Sequence, residues 1–284
     1  MLALIDLDSI LYKAVYKVVS ITQMRQAIEL HGKEQAKQWL LEEVYNQGIN
    51  RVEKQVLEIV EYLDSVMFEE ISETELYITT CTKSFRKELA PSYKSNRKRN
   101  NYVWLLRNHY MINDAKYSDT LEADDLIAIK ARELGKANCI VISPDKDLKT
   151  IGGFYWSYYK EDQYDFQGNV LLDDNGYKVK DFKQREPIYI SQKEADLFFW
   201  QQVLSGDKGD CIDGITGITP AHKKEILKET GVKVACKVGI GTAEKILADS
   251  TNHFIRVARE YIIRGQKDKF KINYSLLKLG SINN

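Results

Sequence analysis

Residues 121–131, LEADDLIAIKA, bring three carboxylates, Glu122, Asp124 and Asp125, into four positions and then turn apolar at once. A capping box with Asp119 as N-cap and Glu122 three residues on accounts for part of this, and acids suit the positive end of a helix dipole. Crowding works against it. Like charges about 4 Å apart repel by about 4 kcal/mol at an effective dielectric of about 20. Asp6 and Asp8 follow one apolar run, Asp145 and Asp147 follow another in SPDKDLKTI, and Asp207, Asp210 and Asp213 punctuate the glycine-rich LSGDKGDCIDGI. Taken singly, each reads equally well as an Asp-rich turn or a cap. Converging, they demand a counter-charge. No His accompanies them and Cys211 is the lone Cys among them, so the donors are overwhelmingly oxygen, which suits Mg²⁺ or Mn²⁺ and not zinc. So many carboxylates could hold two ions, the arrangement that supports in-line phosphodiester hydrolysis.

A second set of residues has the opposite sign. Residues 83–107 carry Lys83, Arg86, Lys87, Lys94, Arg97, Lys98, Arg99 and Arg107 against the single acid Glu88. Phe85, Tyr93, Tyr102 and Trp104 are interleaved with them. Cations for phosphates and rings for bases are how single-stranded nucleic acid is gripped, although a solvated helix face would use some of the same residues. The whole chain has 41 basic and 41 acidic residues, so only this local surplus points to a polyanion. Gly239 and Gly241, in VGIGTAEKIL, precede a helical pattern, and exposed amides at a helix start can seat a phosphate. A loop that merely opens a helix would look the same.

These groups need a scaffold. Residues 2–6, 75–80 and 138–143 read as buried strands. Residues 22–75 and 121–134 show helical spacing, 154–190 read as short strands and turns, and the chain is helical again from about 191 until 271–284 fray into a tail. Strands alternating with helices predict an α/β fold, with a central, mostly parallel sheet flanked by helices. Ligands in such sheets sit beyond the carboxyl ends of the strands, where the acids fall. The expected division is an α/β core over 1–190 and a helical region over 191–284. At 284 residues and 44% hydrophobic, the chain can bury a sizeable core. No apolar run spans a membrane, and the N-terminus lacks the basic leader of a signal peptide. Four scattered cysteines without a CxxC pair read as reduced thiols, which fits a cytoplasmic protein.

Together these segments resemble the 5′-nuclease superfamily of flap endonucleases, polymerase 5′-nuclease domains and phage 5′-to-3′ exonucleases. LID, SFRKELAPSYKSNRK, LEADDLIA, SPDKDLKTI and GDKGDCIDGI followed by GIGTAEKIL stand in the family's order. The wording looks most similar to the tailed-phage exonucleases, over roughly residues 1–250. The resemblance implies a helix–three-turn–helix DNA clamp in the C-terminal region and two divalent ions. Asp6, Glu122, Asp124, Asp125, Asp145, Asp147, Asp207 and Asp210 would be metal ligands or their supports. Lys94 and Arg97 would contact the scissile phosphate, Tyr93 would stack on a terminal base, and Lys83, Arg86, Lys98 and Arg99 would hold DNA. It further implies K⁺ in the clamp, a monomer acting in a cytoplasm (the host's, if phage-encoded), and duplex ends, flaps or RNA–DNA hybrids as substrates. Activity would be a 5′-to-3′ exonuclease, with a flap endonuclease or a non-catalytic DNA binder as alternatives. Two features depart from the family. An aspartate expected after the second strand is replaced near Thr80 or Cys81, with Asp8 as a substitute. The clamp is also stretched by residues 219–237, so either GITGI or VGIG could be the phosphate turn.

Overall fold

The computed structural model describes residues 1–15, 21–81, 83–173, 178–248 and 250–280. The chain begins with strand β1 (Leu2–Asp6) and continues through helices α1 (Asp8–Val15), α2 (Ile21–His31) and α3 (Lys33–Val66) to β2 (Glu73–Tyr77). Helices α4 (Phe85–Leu89), α5 (Asn101–Asn113) and α6 (Ala123–Leu134) then lead to β3 (Cys139–Ile142). A 3₁₀ helix over Lys146–Ile151 precedes β4 (Gly153–Trp156). A ribbon of β5 (Lys160–Asp162) and β6 (Lys180–Phe182) follows, and then β7 (Ile188–Ile190). The rest is α7 (Gln192–Ser205), the short pair β8 (Gly206–Asp207) and β9 (Ile212–Asp213), and helices α8 (Pro220–Thr230), α9 (Ile240–Ala248), α10 (His253–Ile262) and α11 (Lys267–Leu277).

The main sheet has the order β2-β1-β3-β4-β7; its first three junctions are parallel and the last is antiparallel. The α/β expectation is met. Parallel strands covered on both faces read as continuous apolar runs, and Ala3, Leu4 and Ile5 of β1 and Ile140 and Ile142 of β3 are fully buried. One face packs on α1, α3 and α5 through Ile5, Leu11, Val52, Ile59 and Leu106. The other packs on α6 through Leu4, Val141, Ile127, Ala128 and Ala131. A separate cluster of Val203, Leu247, Val257 and Tyr261 knits the C-terminal helices together. From β1 the chain reaches β2 on one side and later β3 on the other. That reversal opens a crevice at the carboxyl end of β1, beside Asp6.

Three local expectations need correction. The second strand is Glu73–Tyr77, not 75–80, because its register is set by pairing Leu2 through Asp6 with Glu73 through Tyr77. The N-cap of α6 is Glu122, not Asp119: the Glu122 side chain meets the backbone of Asp125, and the Asp125 side chain meets that of Glu122. Residues 271–280 do not fray. Leu276 and Leu277 are buried, and Arg132 donates to the carbonyls of Leu279 and Gly280, so the chain end is pinned under α6. Residues 281–284 of that expectation lie outside the described residues.

The turn that carries Asp207, Asp210 and Asp213 is made by two glycines in contact. A Cβ on Gly206, whose φ is 76°, would stand 2.2 Å from the amide of Gly214, and a Cβ on Gly214 would stand 2.3 Å from the carbonyl carbon of Ser205. Nothing lies within 4 Å of a Cβ at Gly239 or Gly241. Gly206→Ala and Gly214→Ala should therefore each cost about 3 kcal/mol or more in urea unfolding, whereas Gly239→Ala and Gly241→Ala should cost about 1 kcal/mol or less.

Candidate active site

Asp6 ends β1 at 5% exposure and accepts from the Ser143 hydroxyl at 2.7 Å and from the Asp8 amide at 3.1 Å. Burial, then the charge of Asp8, pushes its carboxyl up to about 7. Asp124, in the first turn of α6, is raised well above the usual carboxylate range by burial, then by Asp6 and Asp145. Asp145 caps the 3₁₀ helix by accepting from the Asp147 amide at 2.9 Å. Asp147 is pushed up to about 7 by burial, then by Asp145 and Asp207, while Gln202 donates to it at 2.5 Å. The acids thus form one electrically connected run. Asp6, Asp124 and Asp145 stand at one end, Asp147 and Asp207 at the other, and Asp145 acts on both.

Among the described residues, no three of His, Cys, Asp and Glu stand together as a ready-made metal cluster. The donor set nevertheless fits a hard divalent ion. It is all oxygen, it is buried or half-buried, and burial together with neighbouring carboxylates raises the proton affinity of Asp6, Asp124 and Asp147, which is the electrostatic condition a cation relieves.

The cations face these acids across a cleft of about 580 Å³, lined by Asp6, Asp8, Glu122, Asp124 and Asp145 and by Lys94, Arg97, Lys98, Arg99 and Arg107. The Lys94 ammonium lies 2.6 Å from Glu122 and 3.6 Å from Asp210, and Arg97 pairs with Asp210. Burial opposes the charge on Lys94, but Glu122 and then Tyr93 and Asp210 outweigh it and raise its pKa, so it stays cationic. The Lys94 backbone is left-handed, with φ 51°, and its amide donates to the Asp210 carbonyl at 3.0 Å. Cys211, the next residue after Asp210, is also left-handed, with φ 58°. Two non-glycine residues in this region at one junction mark a strained contact held by its surroundings. It ties the basic segment to the GDKGD loop.

Three residues of the expected site do not line the cleft. Asp125 is fully buried, its carboxylate held by the Arg86 guanidinium (2.8 Å to Nη2) and the Gly280 amide (2.8 Å). Of the two roles expected for it, ligand or support, this ion pair fits the support. Arg86 is 1% exposed and also donates to the Leu276 carbonyl at 2.7 Å, so it reaches no DNA. Tyr93 is 3% exposed, packed in the C-terminal cluster with its hydroxyl on Glu122 at 3.0 Å, and offers no face to a base. The rings that line the cleft are others, the half-buried Tyr12 and Trp104, with the guanidinium of Arg99 4.4 Å from the Trp104 centroid. Tyr12 went unnoticed in the sequence, although it stands four residues after Asp8 and so shares its helix face. Lys83 is exposed but is not among the residues that line the cleft.

Cys81 lines the cleft too, and burial followed by Glu122 pushes its thiol up to about 11, which keeps it protonated and a poor ligand at neutral pH. Thr80 donates to the Ser118 carbonyl, and Asp8 accepts from Arg107 at 2.8 Å and from the Thr79 amide. Asp8 therefore sits beside Asp6 with its charge largely matched by Arg107. Of the two glycine turns, residues 214–218 are packed against the chain, and Ile218 donates to the Cys236 carbonyl at 2.8 Å. Gly239 and Gly241 are exposed at the start of α9. Residues 219–237 form α8 and a loop between the two turns.

No family model matches the sequence. Flap endonuclease Xni of Shewanella sp. (strain W3-18-1) is 31% identical over 153 residues, 51% of this chain and 53% of that protein. DNA polymerase I of Rhizobium leguminosarum is 30% identical over 165 residues, 52% of this chain and 14% of that one. The chain spans about half the length of the flap endonuclease it matches. Among solved structures, T5 5′-exonuclease with divalent metal ions (zinc) bound aligns with a TM-score of 0.51 at 14% identity, covering 99% of this chain and 89% of that one. This likeness is one of fold. What the chain shares with these proteins is that fold and, over about half its length, sequence similarity to flap endonucleases.

Proposed function

We propose that the chain is a divalent-metal-dependent nuclease that hydrolyses phosphodiesters at the 5′ ends of duplex DNA, working 5′ to 3′, and that RNA in RNA–DNA hybrids is a second substrate. The reading is carried by one observation: a single cleft whose acid wall faces a wall of six cations, Lys87 among them. Asp6, Asp124 and Asp145 would hold one Mg²⁺ or Mn²⁺, and Asp147 and Asp207, shared with Asp145, a second. When bound, such ions supply a more acidic water and charge stabilisation for the leaving oxygen.

The chain's own residues do the rest. Lys94 lies between Glu122 and Asp210, so a phosphate entering the cleft competes for an ammonium that is already close by. Lys94 and Arg97 would neutralise charge developing on that phosphate. Lys98 and Arg99 would hold the flanking backbone, contacts that position a strand without reading its sequence. Trp104 and Tyr12 would offer rings to a terminal base, in place of Tyr93. The amides at Gly239 and Gly241 would seat a duplex phosphate further away, with K⁺ bound beside them. A second reading, a flap endonuclease, is favoured by the sequence similarity to flap endonucleases.

With Mg²⁺, a 5′-labelled duplex should yield mononucleotides and EDTA should stop the reaction, whereas one product of flap length from a flap substrate supports the endonuclease. Asp145→Ala should lower turnover by about a thousandfold while DNA binding is retained, and Lys94→Ala should lower kcat by about a hundredfold. A protein that cuts neither duplex, flap nor hybrid with any divalent metal contradicts the proposal.

The acids make a further expectation that does not depend on turnover. Asp6 and Asp147 titrate near 7 when folded, against about 4 when unfolded. Their contribution to stability is fully present below about pH 4 and is lost as pH rises through about 7. In EDTA, Tm should therefore fall between pH 5 and pH 8, and Asp6→Asn should flatten the decline. Mg²⁺ should raise Tm more at pH 8 than at pH 5, because it competes with protons for the same oxygens. Parallel wild-type and Asp6→Asn curves would contradict this.

A further inference from the structure

A second cationic cleft, of about 500 Å³, lies between α1, α3 and the β5–β6 ribbon, and nothing in the proposed reaction uses it. Lys13, Arg51, Lys54, Lys160 and Lys180 line it against the single carboxylate Glu58, a surplus of four positive charges in a chain whose formal net charge is zero. Lys160 pairs with Glu58, and Lys180 pairs with Asp162 at 3.2 Å, which anchors two of the cations to the scaffold. Lys13 lies 4.9 Å from the centroid of the Tyr158 ring. Burial lowers its pKa, and so do Lys160 and Lys180: the ammonium groups repel one another across the cleft. Tyr159, on the same wall, is 52% exposed.

This cleft is physically joined to the acid site. Helix α1 begins at Asp8 in the first cleft and carries Lys13 into the second, about 8 Å further along its axis. The Tyr158 ring faces Lys13, and its hydroxyl donates to the Asp6 carbonyl at 3.3 Å. A strand whose phosphate sits at the acids would need few further nucleotides to reach the second cleft.

We propose that this cleft binds the phosphates of the nucleic-acid strand that continues beyond the scissile bond, with Tyr159 as a stacking platform. Mutually repelling cations in a concave wall are what a phosphate backbone relieves, releasing its own counterions as it does so. A concave, ring-bearing wall fits a strand better than the flat plane of lipid headgroups. The inference rests on the nuclease reading, yet it is tested through binding.

Fluorescence anisotropy in EDTA, without turnover, compares wild type with Lys13→Gln/Lys54→Gln on a single strand and on a flapped duplex. The double variant should bind about tenfold more weakly near 0.1 M salt, and the slope of log K against log salt should shrink by about 1 to 2. Lys180→Gln, on a different element, should shift both in the same direction. Unchanged affinity and slope in both variants, with unchanged Tm, would overturn the inference and leave the nuclease reading intact. Wild-type protein that binds nucleic acid through these lysines but cuts nothing would overturn the nuclease reading alone. Loss of binding to phosphatidylserine vesicles, with nucleic-acid binding unchanged, would overturn the inference in favour of a lipid surface.

Discussion

Mutual repulsion among buried carboxylates is the constraint around which the rest of the molecule is organised. Asp6, Asp124 and Asp145 arrive from the end of β1, the first turn of α6 and the loop after β3. The sheet reverses direction at β1, so these three termini converge by topology. Burial first, and then the neighbouring carboxylates that convergence brings, raise the proton affinity of Asp6 and Asp124. Such a site is stable in only a few ways: protons, nearby lysines and arginines, or a hard cation. The cleft provides the first two, and its oxygen donors suit the third.

The basic wall is held as firmly as the acid wall. Arg86, in α4, is clamped between Asp125 and the Leu276 carbonyl, and Gly280 completes the set. This buried pair fixes the start of α6, which carries Glu122 and Asp124, to the start of the basic segment and to the chain end. A buried ion pair is weak evidence for stability but costly to break, because either partner left alone is a buried, unmatched charge. Its role here is register. It sets where Lys94 meets Glu122, and the left-handed backbone of Lys94 then sets where the segment meets the Asp210 loop.

Much of this was legible in the sequence. Acids at strand ends are a one-dimensional trace of the crevice, and the apolar runs of β1 and β3 show a sheet covered on both faces. The LEADDLIA helix was also legible, but not the division of labour within it. Asp124 and Asp125 differ by one position, which on a helix is about 100° of rotation, and only packing shows which one faces the cleft. For the same reason Arg86 and Tyr93 read as substrate contacts. A cation and a ring in a basic segment look alike in sequence whether they turn outward to a nucleic acid or inward to Asp125 and Glu122. The segment from residue 271 read as a tail because the groups that hold it, Arg86, Asp125 and Arg132, lie more than 140 residues away in sequence. The second cationic cleft left no trace because its cations come from four separate elements.

The central claim is that the acid run takes up divalent cation in exchange for protons. Titration of the purified protein with Mg²⁺ or Mn²⁺ in a calorimeter, repeated in buffers of different ionisation enthalpy near pH 6.5, measures both at once. The account predicts saturable binding with net release of about one to two protons, abolished in Asp145→Asn and preserved in Cys81→Ser. No binding, binding with no proton release, or binding that survives Asp145→Asn unchanged would contradict it.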